Sequence, residues 1–376
     1  MIEPLRVGVM GLGTVAQAVH LPILLRHPDR FQIAALCELS PSTLAAIGER
    51  CGVPASRRFE SLDAMLAAGE VEALMILSSG SHAAAASAGL RAGLAVFAEK
   101  PLAYTLEEIE GIRAAAGNVG RLQLGYMKLY DPAFVRAGEL VSEAPPPRSV
   151  EVTVLHPSDA SQLAHAALLP APSDLPAAAT VELGDQLHVL QEAALGPAAV
   201  EIGRLYTGVL LGSVVHDLAM VRALAGDPTE IEFAHAWPAG AWPPSLEILG
   251  GLAGGGARLS IRWHYLARYP AYRETLAVHH EEGSISLTFP SPYLLHAPTE
   301  LAVTGADGRF ERVATLRSNV EAFEEELLAF WRLARHGEAA AAGIDEGRAD
   351  IVTCQRIAAR LAAASGLTIG GEAASA

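Results

Sequence analysis

Near its start the chain reads VGVMGLGTVA over residues 7–16. This stretch continues a short, mostly apolar run that begins at Leu5, and such a run predicts a parallel strand covered on both faces. Gly11 and Gly13 then allow a tight turn, and a helix is predicted from Val15 to Arg26. The stretch therefore predicts a strand, a glycine turn and a helix in direct succession.

The same alternation of strand and helix continues to about residue 125. Further strands are predicted at residues 33–37, 73–77, 95–98 and 121–125, and further helices at 41–51, 83–92 and 105–116, with Ser40 as the N-cap of the first of these helices. Strands that alternate with helices favour a doubly wound parallel sheet with right-handed crossovers. Residues 1–126 are therefore predicted to form a Rossmann dinucleotide-binding domain of the α/β class.

The pattern changes after about Lys128. Strand follows strand from about residue 231 to 315, which predicts a second domain over residues 127–376, of the α+β class with a large, mostly antiparallel sheet. Residues 156–205 are an atypical insertion, and its first part, 156–180, is rich in Pro, Ala and Ser and predicts a long loop. Helices are predicted at 319–336 and 345–364, and both are candidates to pack back on the first domain.

Composition narrows the class of protein. Apolar residues make up 51% of the chain and charged residues 18%, which is typical of a globular protein. A net charge of −15 argues against a nucleic-acid partner. We expect no membrane partner and no signal peptide. Three scattered cysteines show neither zinc spacing nor a disulfide framework, so we expect a cytoplasmic protein.

The glycine turn is the predicted dinucleotide site. In such a turn the first glycine permits the bend and the second lets the backbone approach the pyrophosphate. A small third residue lets helix and strand pack closely, and the helix N-terminus supplies positive potential. The candidate cofactor contacts here are Gly11, Gly13, Thr14, Val15 and Ala16.

Glu38 follows the second predicted strand, where an acidic side chain accepts hydrogen bonds from the ribose hydroxyls. A carboxylate at this position repels a 2′-phosphate, which favours NAD over NADP. Arg50, Arg57 or Arg58 could instead compensate for that charge and accept NADP. The cofactor is therefore predicted to be NAD or NADP, with NAD favoured by Glu38.

A second candidate site ends the strand at residues 95–98, where the chain continues Glu99-Lys100-Pro101. Doubly wound sheets bind their ligands at this edge, so Lys100 is a candidate functional residue. Beside an oxidised nicotinamide the charged ammonium is disfavoured, which makes its proton mobile. Pro101 fixes the local backbone, and a cis bond there would direct Lys100 into the crevice.

These motifs together resemble the Gfo/Idh/MocA oxidoreductase family, which includes glucose–fructose oxidoreductase and inositol dehydrogenase. The resemblance spans almost the whole chain apart from residues 156–205. The matching segments are Gly11–Ala16, Ser78–His82, Glu99–Leu102, Gly125–Phe134, Gly212–Asp217 and Leu224–Gly226.

The resemblance implies hydride transfer between NAD(P) and a carbinol of a sugar, cyclitol or related polyol. It implies that Lys100 is the catalytic lysine and that Glu99 helps to position both Lys100 and the nicotinamide-side ribose. His216 would contact the substrate and relay a proton, and Lys128 would line the floor of the crevice near cofactor and substrate. Ser78 and His82 are candidate cofactor-side residues, with His82 favoured as structural. Lys128 as a salt-bridged lysine and His216 as a core or capping histidine are the open alternatives.

One departure from the family pattern concerns Gly212. Many family dehydrogenases have an aspartate four residues before the histidine, on the same helical face. Asp217 follows His216 directly and so points about 100° away on a helix. Ser78 also stands where the family often has proline. We therefore expect a proton relay that differs from the usual one, carried by Lys100 and His216.

Two further sets of residues carry side chains of a kind that can contact a substrate or a metal. His264 and Tyr265 lie on opposite faces of a predicted strand, and the sequence does not choose which one faces the substrate. Residues 279–282, His-His-Glu-Glu, are polar enough for a metal, but adjacent residues of a strand point to opposite faces, so no metal is expected.

The sequence thus favours an NAD(P)-dependent dehydrogenase or ketoreductase acting on CH–OH groups of a sugar, cyclitol or glycoside-like substrate, which would fit a specialised pathway. The alternative is a catalytically inactive dinucleotide-binding sensor or regulatory protein, and Gly212 is its main support. Proteins that this chain resembles often associate through the open face of the second sheet, so we expect a homodimer or homotetramer.

Overall fold

The six strands of the first sheet are all parallel, as the sequence predicts. In this computed structural model, which describes residues 3–117, 121–197, 200–254 and 256–375, they lie in the order β3-β2-β1-β4-β5-β6. The elements are β1 (Leu5–Met10), α1 (Leu21–Arg26), β2 (Phe31–Cys37), α2 (Pro41–Arg50), β3 (Arg58–Phe59), α3 (Leu62–Ala67), β4 (Ala73–Ile76), α4 (Ala83–Arg91), β5 (Ala95–Glu99), α5 (Leu106–Ala116) and β6 (Leu122–Gly125). The order reverses between β1 and β4, and this switch point is where open α/β sheets bind ligands.

The second sheet has eight strands and is antiparallel except where β7 pairs with β10. Its order is β14-β13-β12-β11-β7-β10-β9-β8. The remaining elements are α6 (Pro132–Glu143), β7 (Ser149–His156), α7 (Asp159–Leu163), α8 (Ala177–Leu195), α9 (Val200–Leu205), α10 (Val215–Ala225), β8 (Pro228–Trp237), β9 (Ser245–Leu252), β10 (Arg258–Tyr265), β11 (Arg273–His280), β12 (Gly283–Phe289), β13 (Glu300–Asp307), β14 (Phe310–Arg317), α11 (Ala322–His336) and α12 (Ile344–Ala364). Both predicted fold classes are confirmed.

The chain divides into two compact units. The first comprises Met1–Tyr126, Ala166–Ala193 and Glu326–Arg348, and the second comprises Met127–His165, Ala194–Glu325 and Ala349–Ala376. The predicted insertion is thus shared between the units. In the first unit Arg335 of α11 forms an ion pair with Glu72, 2.9 Å from Nη1 to Oε1. This contact fixes the C-terminal segment to the sheet that carries the glycine turn.

The prediction of a long loop at residues 156–180 is wrong at two places. A short helix, α7, occupies Asp159–Leu163, and α8 already begins at Ala177. The alanines that follow Pro176 are strong helix formers, and proline is well tolerated just before or at the start of a helix. The alanine-rich composition was therefore part of the helix rather than of the loop.

One helical stretch, Glu201–Ala225, is long and apolar enough to cross a membrane by length and composition alone. The folded protein buries 61% of the most apolar window of this stretch. A core helix that lies beneath a sheet shows the same pattern, so this stretch is weak support for a membrane span.

We predict that the stability of the second unit depends on Asp350 more than on its neighbour Asp227. Arg222 on α10 is 2.8 Å from Asp350, whose side chain is 4% exposed, and 2.6 Å from Asp227, which is 52% exposed. Asp350→Asn leaves a buried guanidinium under-compensated and should lower the free energy of unfolding by about 3 kcal/mol. Chemical denaturation monitored by circular dichroism measures this change.

The matched control is Asp227→Asn, which removes a solvent-exposed partner of the same arginine. It should cost less than about 1 kcal/mol, because exposed ion pairs contribute little. Equal losses in the two variants would contradict the importance of the buried pair.

Candidate functional site

The glycine turn is shaped by the strand beside it. Gly11 has φ +86°, and a Cβ built on it would lie 2.4 Å from the main-chain nitrogen of Ser78. No side chain fits there, so glycine is required for the loops after β1 and β4 to touch. A Cβ on Gly13 would meet no heavy atom of the described residues within 4 Å. Gly13 therefore faces open space, which suits the approach of a pyrophosphate.

The helix after the turn begins at Thr14 and widens to a π-helical turn over Ala16–His20 before α1. Pro22 lies just beyond this segment and lacks the N–H that a regular helix would need there, which accounts for the interruption. Ala16 is fully buried. The N-terminus of this helix points its first N–H groups to the same edge as the glycine turn.

Glu38 ties the glycine turn to the end of β2. One carboxylate oxygen accepts a hydrogen bond from the N–H of Leu12 at 2.8 Å. The other accepts from the N–H groups of Leu39 at 2.7 Å and Ser40 at 3.2 Å. Two carboxylate oxygens offer about four acceptor positions, so capacity remains for a ribose hydroxyl. The predicted ribose role of Glu38 remains a prediction.

The three arginines that could compensate for the charge of a 2′-phosphate already interact with other groups of the protein. Arg57 forms an ion pair with Glu70, and Arg50 donates to the carbonyl of Ala167 at 3.4 Å. Arg58 donates to the carbonyls of Val53 at 2.9 Å and Ala45 at 3.3 Å. Each guanidinium thus already has a partner in the first unit.

His82 joins two loops from within the first unit. It is 1% exposed, and its ring nitrogens lie 2.7 Å from the carbonyl oxygens of Pro101 and Ser78. Burial lowers the pKa of His82, although both carbonyls and the charge of Glu99 oppose that effect. This geometry suits a histidine that holds the Ser78 and Lys100 loops together.

Sequence analysis missed His20, the partner of Glu99. Nε2 of His20, a fully buried side chain, lies 2.8 Å from Oε1 of Glu99. Burial alone would raise the pKa of Glu99, but the His20 hydrogen bond and the charges of His20 and Lys100 outweigh it and lower that pKa. Glu99 is therefore an ionised carboxylate in the interior. The only local signal for His20 was its place on the inner face of the helix after the glycine turn.

Lys100 follows Glu99 at the carboxyl end of β5. Its side chain is half-buried, its main-chain N–H donates to Glu99 at 3.3 Å, and the Lys100-Pro101 bond is cis. β5 adjoins β4, and Ser78, the second residue after β4, lies close to Gly11. The structure thus brings Lys100, Glu99, Ser78 and the glycine turn to one edge of one sheet.

The chain contains only two lysines, Lys100 and Lys128, among 27 basic residues. Arginine supplies every other cation, although lysine serves equally well on a solvated surface. Lysine is needed where a compact ammonium or a removable proton is used. The small number of lysines is thus a sequence signal for these two positions, independent of the motifs.

Lys128 is buried in the second unit. Its ammonium forms an ion pair with Glu274 and lies 5.5 Å from the ring centre of Phe289. Glu274 also accepts a hydrogen bond from the hydroxyl of Tyr272. Burial raises the pKa of Tyr272, and the charge of Glu274 adds to that effect. The alternative interpretation of Lys128, a salt-bridged lysine, describes these contacts, and its role toward a ligand remains a prediction.

His216 lies on α10 and is half-buried. A Cβ built on Gly212 would meet only the carbonyl oxygen of Thr207, at 3.5 Å, among the described residues. The surroundings of Gly212 therefore leave room for the Cβ of an aspartate side chain. Asp217 is buried against Glu274, and burial followed by the charge of Glu274 raises its pKa well above the usual range. This shift favours the protonated form of Asp217, which faces Glu274.

The two faces of β10 have different neighbours in the second unit. The indole N–H of Trp263 donates to Ser213 at 2.9 Å, three residues before His216. Tyr265 shares this face and stacks on His156, with ring centres 6.0 Å apart. His264 instead contacts Trp237. Of the two residues left open, Tyr265 lies on the face directed toward the His216 segment.

The candidate residues thus fall in two groups. The first unit holds the glycine turn, Glu38, Ser78, His82, Glu99 and Lys100, and the second holds Lys128 and His216. Within the first unit the sheet positions its members at a shared edge.

The comparisons with known proteins agree with this arrangement. Residues 5–126 match the model of the oxidoreductase family with an NAD-binding Rossmann fold, Gfo/Idh/MocA. An inositol 2-dehydrogenase from Paracoccus denitrificans is 32% identical over 142 residues, which are 37% of this chain and 42% of that protein. A putative UDP-kanosamine synthase oxidoreductase subunit from Amycolatopsis mediterranei is 31% identical over 126 residues, 33% of this chain and 34% of that protein. The matched region thus spans less than half of these curated relatives.

Solved structures resemble the chain over nearly its whole length. A UDP-N-acetylglucosamine 3-dehydrogenase from Acidithiobacillus ferrooxidans has a TM-score of 0.69 at 20% identity and covers 96% of this chain and 99% of its own. A 3-ketoreductase from Actinomadura kijaniata, solved with TDP-benzene and NADP, has a TM-score of 0.70 at 17% identity and covers 94% and 96%. These likenesses confirm the fold of both parts of the chain.

The strand–glycine turn–helix at residues 7–16, the Glu99-Lys100-Pro101 edge and the match over residues 5–126 lead to one assignment. The Rossmann domain of this chain, over residues 5–126, matches the model of the Gfo/Idh/MocA family of oxidoreductases.

Proposed function

We propose that the chain is an NAD(P)-dependent oxidoreductase that transfers hydride between the cofactor and a carbinol or ketone of a sugar, cyclitol or glycoside-like substrate. The observation that carries this proposal is Lys100, a half-buried lysine at the ligand-binding edge of the sheet, beside a buried carboxylate and the glycine turn. The names of the relatives, inositol 2-dehydrogenase and sugar 3-dehydrogenase, support this substrate class.

The residues that would hold the cofactor fit such a group. Gly11, Gly13, Thr14, Val15 and Ala16 offer open backbone and a helix N-terminus to the pyrophosphate, and Glu38 offers its carboxylate to the ribose. When bound, the nicotinamide accepts or donates the hydride. Ser78, His82 and Glu99 shape the wall near Lys100.

The protein's own task is then the movement of one proton. During oxidation of a carbinol, its C–H leaves as hydride and its O–H proton passes to a base, and reduction of a ketone reverses both transfers. We assign that proton to Lys100, with His216 as the residue that contacts the substrate and relays the proton. Glu99, fixed by His20, keeps negative charge beside Lys100 and thereby orients its ammonium. Lys128 is assigned to the substrate region as a fixed cation.

We infer that NAD is the preferred cofactor. Glu38 places negative charge at the end of β2, and the guanidinium groups of Arg50, Arg57 and Arg58 are bound to other partners. A 2′-phosphate would therefore meet a carboxylate without a free arginine close by in sequence. The relative solved with NADP differs from this chain at four of five positions or more, so it does not decide the preference.

A second candidate function is a catalytically inactive dinucleotide-binding sensor. Gly212 favours it, since the family's usual carboxylate before His216 is missing and the raised pKa of the neighbouring Asp217 favours its protonated form. The intact Glu99-Lys100-Pro101 segment favours the enzyme.

We further propose that the protein is a cytoplasmic homodimer or homotetramer. Its three cysteines are free thiols, which suits a reducing compartment. Strand β14 at one edge of the second sheet exposes Phe310 (80%), Val313 (56%) and Leu316 (46%). Exposed apolar side chains on an edge strand are unfavourable unless another surface covers them.

Gly13→Val should abolish dinucleotide binding without unfolding the protein. The new side chain would enter the open space that a pyrophosphate needs, and it meets no described atom within 4 Å of its Cβ. We expect the Kd for NADH, measured by fluorescence titration, to rise at least about tenfold while Tm changes by less than about 2 °C. The control is Gly111→Val on α5, where a Cβ also has open space. Unchanged NADH affinity in Gly13→Val would refute the assigned turn.

The enzyme should change absorbance at 340 nm with NAD or NADH and at least one member of a panel of sugars, cyclitols and their ketones. With that substrate, Lys100→Met should lower kcat by about 10²–10⁴-fold, the usual contribution of a positioned acid or base. Lys100→Arg keeps the charge but not the removable proton, so it should lose kcat similarly. The Kd for NADH should change by less than about threefold in both variants.

The two lysines also allow a direct check. Reductive ¹³C-methylation should give two lysine side-chain NMR signals, which Lys100→Arg and Lys128→Arg assign, and the Lys100 signal should shift when NAD binds.

Full turnover in Lys100→Met would overturn the catalytic assignment. Tight dinucleotide binding without turnover on the whole panel would establish the sensor instead.

Assembly through the second sheet predicts that Phe310→Glu lowers the mass measured by sedimentation equilibrium. A charge at an apolar interface is costly to bury, so the assembly should dissociate at least about tenfold more readily. Glu311→Gln, on the same strand, is the control. A monomeric wild-type protein at micromolar concentration would contradict the proposed oligomer.

A further inference from the structure

One segment of the insertion lies across the edge of the first sheet. This strap, residues 167–174, belongs to the first unit. Its Leu169 N–H donates to Oε1 of Gln17 at 2.8 Å, and Gln17 in turn donates to the carbonyl of Leu12 at 2.7 Å. The strap thus starts beside the glycine turn.

The other end of the strap meets the N-terminus of α2. Oδ1 of Asp174 accepts a hydrogen bond from the hydroxyl of Ser40 at 2.5 Å, and Oδ2 accepts from the N–H of Ser42 at 2.8 Å. Ser40 is the N-cap of α2 and also donates its N–H to Glu38 at 3.2 Å. Asp174 and Glu38 therefore lie on either side of one buried serine.

The position of this carboxylate is informative about the cofactor. Glu38 marks where the adenosine ribose binds in the proposed function. A phosphate on the ribose 2′-hydroxyl needs donors close to Glu38, and the N-terminus of α2 with Ser40 and Ser42 is the nearest set of such donors on the strand end. Asp174 already occupies these donors, and its hydrogen bonds to Ser40 and Ser42 lower its pKa.

We propose that Asp174 is a specificity-determining residue, which excludes the 2′-phosphate of NADP by placing the chain's own anion on the donors that would bind it. This inference rests on the proposed binding of a dinucleotide at the glycine turn. Two carboxylates then discriminate between NAD and NADP. Glu38 lies at the end of β2, and Asp174 lies 134 residues after its partner Ser40 in the sequence. Glu38 accepts hydrogen bonds from the ribose hydroxyls. Asp174 occupies the donors that a 2′-phosphate would need and places a negative charge beside that position.

The roles of the two carboxylates differ in a testable way. Glu38 holds the N–H of Leu12 in the glycine turn, so its loss should weaken every dinucleotide. The carboxylate of Asp174 accepts hydrogen bonds from Ser40 and Ser42 at the α2 terminus, and these hydrogen bonds hold no group of the glycine turn, so its loss should act on the phosphate-bearing cofactor.

The test compares Kd values for NADH and NADPH by fluorescence titration in the full-length protein. Wild type should bind NADH at least about tenfold more tightly than NADPH. In Asp174→Asn, NADPH should bind about tenfold more tightly than it does to wild type, since an anion is removed and the new amide can donate to phosphate. NADH affinity should change by less than about threefold. Asp174→Glu keeps the charge and should keep the wild-type preference.

Asp185→Asn on α8 is the matched control, because it removes the same charge from the same insertion at an exposed position. It should leave the ratio of the two affinities unchanged. Adenosine 2′,5′-bisphosphate and 5′-AMP, tested as fragments, should show the same selective gain for the 2′-phosphate in Asp174→Asn.

The outcomes separate this inference from the proposed function. If wild type binds neither NADH nor NADPH, the proposed function fails. If both bind and Asp174→Asn leaves their ratio unchanged, or weakens both equally, the specificity role of Asp174 is overturned while dinucleotide binding stands. Equal affinities of wild type for the two cofactors also overturn it.

Discussion

An ionised carboxylate buried at the end of β5 is the constraint around which the candidate site of the first unit is arranged. Glu99 is almost removed from water, and a buried charge is tolerated only with a partner. His20 supplies that partner from the helix that follows the glycine turn. The pKa of nearby Glu326 shifts in the opposite direction, because burial and then the charge of Glu99 raise it well above the usual range. Burial thus favours the protonated form of Glu326, while the negative charge of Glu99 lies next to Lys100.

The sequence was sufficient to predict the sheet, the glycine turn and its flanking helix, because each depends on residues close together in the chain. It was insufficient for His20 with Glu99, Ser40 with Asp174 and Lys128 with Glu274, which lie 79, 134 and 146 residues apart. Periodicity and local motifs specify which face of an element is buried but not which polar group from elsewhere will meet it. The start of α8 was missed for a different reason, since prolines in the preceding segment concealed a run of helix-forming alanines.

The two lysines show how such long-range partners change the meaning of a residue. Both were assigned to the site from the same resemblance, yet their surroundings differ. Lys128 is buried and fixed by Glu274, which favours a permanent cation. Lys100 is half-buried at an edge where ligands bind, beside a carboxylate that His20 already shares. A group that must gain and lose a proton is better served by the second environment, because His20 shares with Lys100 the stabilisation of the charge on Glu99.

The same reasoning applies to the missing carboxylate before His216. A carboxylate can act as a base or stabilise an imidazolium only while it is ionised. Asp217 and Glu274 share the interior of the second unit with one ammonium, that of Lys128, which forms an ion pair with Glu274. Burial and the charge of Glu274 raise the pKa of Asp217 and so favour its protonated form, and its proximity to His216 in sequence therefore does not restore what Gly212 lacks. The charge balance of this cluster therefore supports the proposal that Lys100 exchanges the reacting proton.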